Sequence, residues 1–156
     1  MDSQIQKIHQ QLVSKTISCT ALIKEKLSLL KLNSNNTVNS LLDTLALELA
    51  AKVDAKIAKG ETIGLLEGIP FGIKDVYMVQ GTYTTASSEL LKNYKAAYTA
   101  TAIQKLLDAG AIPIVKENCD SFGHGSSSEN TIFGAVKNAI HPELVAGGSS
   151  GGSAVN

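Results

Sequence analysis

The chain has 156 residues, with 14 cationic side chains balancing 14 acids for a formal net charge of zero. That length suits a single domain, and the balance excludes a fold driven onto nucleic acid by a basic surface, though not one that meets RNA through a partner. A composition of 44% hydrophobic and 18% charged residues excludes intrinsic disorder.

Ile5, Ile8 and Leu12 recur at helical spacing, as do Ile23, Leu27 and Leu30. The run Asn33 to Asn36 (NSNN) punctuates the end of the second segment. Ser40 followed by Asp43 reads as a helix-capping pattern. Leu42, Leu45, Leu49, Val53 and Ile57 then keep one apolar face until Gly60 closes the helix. Residues 1–60 are therefore expected to be helices covering a core. From Gly68 the period changes. Residues 71–76 (FGIKDV), bounded by Pro70, read as a buried strand. A helix follows from Thr99 as its N-cap through Ile103, Leu106 and Leu107 to Gly110, and residues 111–115 (AIPIV) read as a second buried strand. Strand, crossover helix and strand make a parallel pair in an α/β sheet. Pro113 lacks the N–H that a ladder needs, which places its strand at an edge or at a bulge.

No stretch approaches the roughly 20 apolar residues of a membrane span, and the N-terminus lacks the apolar run of a signal peptide, so a cytoplasmic protein with no membrane contact is expected. Cys19 and Cys119 stand far apart with no pairing pattern, which argues against a disulfide framework or a zinc site. His9, His124 and His141 have no partners spaced for a metal or a Ser–His dyad, and each is expected at the surface or in packing.

Two segments carry chemistry. Lys74 lies among residues that read as buried, where a lysine needs a reason. A desolvated amine gives up its proton more readily and can act as a general base; the plainer alternative is a strand-end lysine paired with Asp75. The second segment is Gly147–Gly148–Ser149–Ser150–Gly151–Gly152–Ser153–Ala154. Its glycines permit close backbone approach, and its hydroxyls both donate and accept. It lacks the Gly-Lys-Ser/Thr ending of a P-loop and the spacing of a dinucleotide fingerprint, and on composition alone it equally suits a flexible linker. Seven of the 13 glycines and seven serines fall in the last 39 residues, from Asn118 onward, where the chain reads as loops able to touch a ligand.

Gly68-Ile-Pro-Phe-Gly-Ile-Lys74-Asp75, Lys116-Glu117-Asn118 and the Gly147–Ala154 segment resemble the amidase signature family in order and spacing. Within that family, Asp120 to Asn130 (DSFGHGSSSEN) is most similar to the amidase subunits of tRNA-dependent amidotransferases. The resemblance runs from about residue 18 to the last residue. It implies an α/β/α mixed sheet, here the N-terminal part of one amidase domain, with residues 1–60 as a helical cover and 61–156 as the start of the core. It also implies a Ser–cisSer–Lys triad with Lys74 as buried base and Ser149 as the middle serine after a cis peptide bond. Ser150 and Ser153 compete for that middle role on composition alone; family register favours Ser149 and makes Ser150 a supporting hydrogen bonder. Gly125 and Ser126 either line the amide pocket or form a hydrogen-bonded turn with Ser127 and Ser128.

Family members continue well past this point, so the serine nucleophile and the oxyanion donors are expected beyond Asn156 and the 156 residues alone are expected to be inactive. For the parent protein the resemblance implies hydrolysis of glutamine and delivery of ammonia to the B and C subunits of an amidotransferase. The B partner would hold Glu-tRNA(Gln), and ATP and Mg would act there; no metal or cofactor is expected in this chain. A stand-alone amidase on small amides and a non-catalytic domain are the alternatives. Ala146, where relatives often have proline, is a small departure that bears on loop stiffness.

Overall fold

The computed structural model describes residues 3–156. Helices α1 (Gln4–Val13), α2 (Cys19–Lys31) and α3 (Asp43–Ala58) form the N-terminal layer. A short strand, β1 (Val38–Leu41), lies between α2 and α3. Strand β2 (Pro70–Lys74), helix α4 (Thr101–Asp108) and strand β3 (Ile112–Glu117) follow, and α5 (Gly151–Val155) ends the chain. The sheet order is β1-β3-β2, with β1 antiparallel and β2 parallel to β3. This is the mixed α/β sheet expected, built around the strand–helix–strand unit.

The helices form where the sequence places apolar stripes and caps. Ser3 caps α1 in a reciprocal capping box with Gln6, and Ser18 accepts from Ala21 N at the start of α2. Ile8, Leu12, Leu22, Ile23 and Leu27 pack with Ala46, Ala50 and Val53 of α3 against Ile112, Ile114 and Val115 of β3. Alanines on α3 let its backbone approach the sheet closely. A second cluster joins Phe71 and Ile73 of β2, which share a face two residues apart, to Leu42, Ile103 and Leu107 beneath α4.

Several local expectations are corrected. Residues 1–60 are not all helical, because Val38–Leu41 pairs with β3. Ser40 lies in that strand and caps nothing; Leu42 occupies the N-cap of α3 without a side-chain bond. Thr99 is likewise not the cap of α4. Ala100 is, while Thr99 Oγ1 accepts from Gln80 N at 3.0 Å and secures the preceding loop. Pro113 sits in the central strand, so of the two expected placements, edge or bulge, the bulge is the one found. The tolerance comes from a bulge: the register steps from Phe71↔Pro113 to Gly72↔Val115, leaving Ile114 as the extra residue. Gly60 does follow the end of α3 with φ +76°, the left-handed conformation that glycine adopts without strain.

Both cysteines are fully buried and unpaired. Burial, then the carboxylates of Asp54 and Glu67, pushes the Cys19 thiol up to about 12. Neither thiol is expected to react with Ellman's reagent at pH 8 in the folded chain, and both are expected to react after unfolding in guanidinium. Because the folded Cys19 holds its proton to higher pH than the unfolded thiol near 9.0, its contribution to stability is complete below pH 9 and is lost as pH rises toward 12. The urea midpoint is expected to fall over that window, with a shallower slope in Cys19→Ala.

Candidate active site

Lys74 ends β2. Alternation puts it on the same face as Gly72, the face against which α5 packs. Space for that packing exists because Gly72 has no side chain: a Cβ there would overlap the Glu117 carboxylate. Glu117 in turn accepts from Ser153 Oγ and, at 3.3 Å, from Asn156 Nδ2. Gly152 N donates to Asn118 O at 2.9 Å, and a Cβ on Gly152 would lie 2.6 Å from that same carbonyl. The glycines of α5 therefore let its first turn sit directly on the end of β3, which brings the loop before it over Lys74.

In that loop the Gly148–Ser149 peptide bond is cis. Lys74 Nζ donates to Ser149 Oγ at 2.7 Å across 75 residues of sequence. Lys74 is half-buried rather than the enclosed base expected from sequence. Gly123 covers the pair: a Cβ on it would lie 3.8 Å from Lys74 Nζ and 4.0 Å from Ser149 Oγ. Next to Gly123 lies a largely apolar cavity of ≈ 210 Å³ lined by Val76, Met78, Thr84, Ala86, Leu91, Tyr94 and Phe122.

Asp120 ties the Ser149 loop to residues 121–130. Its backbone N–H donates to Ser149 O at 3.1 Å, and its buried carboxylate accepts from Ser128 N at 3.0 Å and Asn130 N at 3.3 Å. Ser128 Oγ accepts from Gly151 N at 2.9 Å, closing the connection. Gly125 and Gly148 both face Asp120, where any Cβ would overlap its carboxylate. Gly125 and Ser126 are exposed on this loop, and Ser128 is the hydroxyl of the serine run that turns inward. Ser150 is exposed at the N-cap of α5 and makes no capping bond. His124 and His141 are exposed, and no cluster of metal-ligating residues occurs among the described residues.

The fully enclosed lysine is Lys116, not Lys74. It is 0% exposed and pairs at 2.8 Å with Asp75, itself 1% exposed, so the carboxylate beside Lys74 in sequence belongs to Lys116. Lys116 Nζ also donates to Tyr77 O at 2.7 Å and Thr84 Oγ1 at 3.1 Å. Burial lowers the Lys116 pKa, and attraction to Asp75 opposes that shift. Asp75 Oδ2 accepts from Thr85 N at 3.2 Å, Thr85 Oγ1 at 2.5 Å and Asn39 Nδ2 at 2.9 Å. Asn39 reaches it from a bulge in β1, where the register steps from Val38 to Ser40. Asn39 also donates to Ser87 Oγ, which bonds Asn118 Oδ1 at 3.1 Å. Burial raises the neighbouring Cys119 thiol, which suits it to packing rather than attack. In sequence Lys116 stands out only as part of the Lys116-Glu117-Asn118 motif, with no role attached, although the signal that singles out Lys74, a lysine ending an apolar strand, is present there too.

A mixed α/β sheet presenting a lysine amine to a serine hydroxyl at the edge of a Gly/Ser loop defines the class. The chain belongs to the amidase family, whose sequence profile matches residues 23–156. It is 46% identical over 154 residues to the A subunit of the glutamyl-tRNA(Gln) amidotransferase of Nostoc punctiforme, a match covering 97% of this chain and 32% of that protein. A bacterial aryl acylamidase of the amidase signature family superposes with a TM-score of 0.87 at 27% identity, over 96% of this chain and 32% of that one. The A subunit of the glutamyl-tRNA(Gln) amidotransferase of Thermotoga maritima is 41% identical, with a TM-score of 0.57 over 61% of this chain and 22% of its own. The chain thus spans about a third of the length of the curated relatives it matches. No helix among the described residues is long and apolar enough to cross a membrane.

Asp120→Ala is expected to cost about 1–3 kcal/mol by stranding the buried N–H groups that its carboxylate receives, read as a lower urea midpoint with unchanged slope.

Proposed function

We propose that this chain is the N-terminal third of the amidase subunit of a tRNA-dependent amidotransferase. In this reading the parent protein hydrolyses glutamine and supplies ammonia for converting Glu-tRNA(Gln) to Gln-tRNA(Gln). The 2.7 Å contact between Lys74 Nζ and Ser149 Oγ carries the chemical part of the reading. The similarity to the amidase subunits of such amidotransferases over nearly the whole chain supports the choice of substrate.

Lys74 acts as the base and Ser149 as the relay. A neutral amine accepts the Ser149 proton at the same separation at which it now donates, while Ser149 takes the proton of a third serine in the remainder of the parent protein. That serine attacks the amide carbon and forms an ester as the C–N bond breaks. The proton returns through Ser149 to the departing nitrogen, which leaves as ammonia. Water, deprotonated by the same relay, then cleaves the ester to glutamate and free enzyme. Gly125, Ser126 and Ser150, exposed on the two loops joined through Asp120, line the substrate pocket. The B and C subunits receive the ammonia; the B partner holds the tRNA and uses ATP with Mg.

The test is ammonia release from glutamine by the full-length protein with its partner subunits. Lys74→Ala and Ser149→Ala are each expected to lower kcat about 10²–10⁴-fold, and residues 1–156 alone are expected to release none. Amide hydrolysis without partners, and with no preference for glutamine, would instead indicate a stand-alone amidase, the reading favoured by the superposition on the aryl acylamidase.

A further inference from the structure

Two ionisable residues follow one another at the end of β2, and they face opposite ways. Lys74 turns toward α5 and meets Ser149. Asp75 turns toward the other side and is enclosed with Lys116, which stands opposite Ile73 in the parallel ladder. Because strand side chains alternate, a slip of one residue would exchange the two. Asp75 would then face Ser149, and Lys74 would be driven into the buried pocket.

We propose that the buried Asp75–Lys116 pair is a positioning device that fixes which face of β2 each residue presents, and so sets the Lys74 amine on Ser149. The proposal rests on the reading of Lys74 and Ser149 as base and relay. Three features carry it. The first is the density of the network. Lys116 Nζ has two hydrogen-bond acceptors and an ion-pair contact with Asp75 Oδ1, and Asp75 Oδ2 has three donors; Asp75 Oδ1 has no partner besides that ion pair, and Asn39 Oδ1 has no hydrogen bond. The second is that its members come from separate parts of the chain: Asn39 from the β1 bulge, Tyr77, Thr84 and Thr85 from the loop after β2, and Lys116 from β3. The third is its reach into the backbone. Asp75 N donates to Glu117 O at 3.0 Å and Ala86 N donates to Asp75 O at 3.0 Å, so the residue after Lys74 is held at its side chain and at both main-chain groups.

A buried pair of this kind need not add stability, since apolar replacement of both members is often neutral while loss of one is strongly destabilising. Its value here is in geometry, and a displacement of about 1 Å at reacting atoms can cost about 10²-fold in rate. Lys116 and Asp75 are positioning residues; neither touches Ser149.

The test uses the full-length protein with its partner subunits, comparing Lys116→Met, the double variant Asp75→Asn/Lys116→Met, and Thr84→Val, which removes one acceptor of Lys116 with little change of shape. Lys116→Met is expected to unfold at a markedly lower temperature. The double variant is expected to recover most of that stability, yet keep a kcat about 10–100-fold below wild type with KM within about twofold. Thr84→Val is expected to lower kcat severalfold with KM unchanged, and it decides the matter where the double variant does not fold. A double variant or Thr84→Val with wild-type kcat overturns the proposal and leaves the pair a packing element. Should the wild-type complex hydrolyse no amide, the functional reading fails instead. The proposal is then read from a crystal structure of the double variant: Lys74 Nζ beyond about 3.5 Å from Ser149 Oγ upholds it, and an unchanged contact overturns it.

Discussion

In the parallel ladder between β2 and β3, Lys74 stands opposite Glu117, and Ile73 stands opposite Lys116. One rung and one alternation therefore send two lysines to opposite sides of the sheet, each toward a different kind of oxygen. One meets a half-buried loop hydroxyl at 2.7 Å, the other a sealed carboxylate at 2.8 Å. The helices exist largely to hold this ladder. The first three and β3 share one apolar cluster, and α4 makes the crossover that parallel pairing requires. Without that register the two lysines would have no fixed addresses.

The loops depend on the ladder through their backbones more than through their side chains. Asn118, just past β3, receives Gly152 N on its carbonyl and donates its own N–H to Thr37 O, so one residue joins the sheet end, the α5 turn and the segment before β1. Asp120, two residues further, gathers the N–H groups of residues 128 and 130 and contacts the carbonyl of Ser149. Buried backbone groups need partners wherever they fall, and here meeting that need also places the serine. A loop rich in glycine and serine thus has a defined shape because the Asp120 carboxylate and the main chain of Asn118 sit beneath it.

Much of this was legible in sequence where a single element carries the signal. The helical spacing of Leu22, Ile23 and Leu27 and the apolar run around Ile114 place α2 and β3, and the strand–helix–strand order implies the parallel pair. The resemblance of residues 68–75 and 147–154 to one family brought Lys74 and Ser149 forward, and the fold brings them together. What stayed hidden is what arises between elements. β1 has four residues and no alternation to announce it, since pairing with β3 creates it. Lys116 reads as an ordinary lysine until Asp75, Thr84 and the carbonyl of Tyr77 are assembled around it. Thr99 and Ser40 look like caps, but tertiary contacts claim one for Gln80 and the other for a strand.

Gly72 and Glu117 occupy one volume between them. The carboxylate lies where a methyl group at position 72 would be, and it is held there by Ser153 and Asn156. The two positions are thus a single steric unit shared by neighbouring strands. An alanine at 72 would push the Glu117 carboxylate, the flexible end of its side chain, out of that volume and away from Ser153 and Asn156. A single methyl group two residues before Lys74 would thus loosen the hold of the sheet on the last turn of α5.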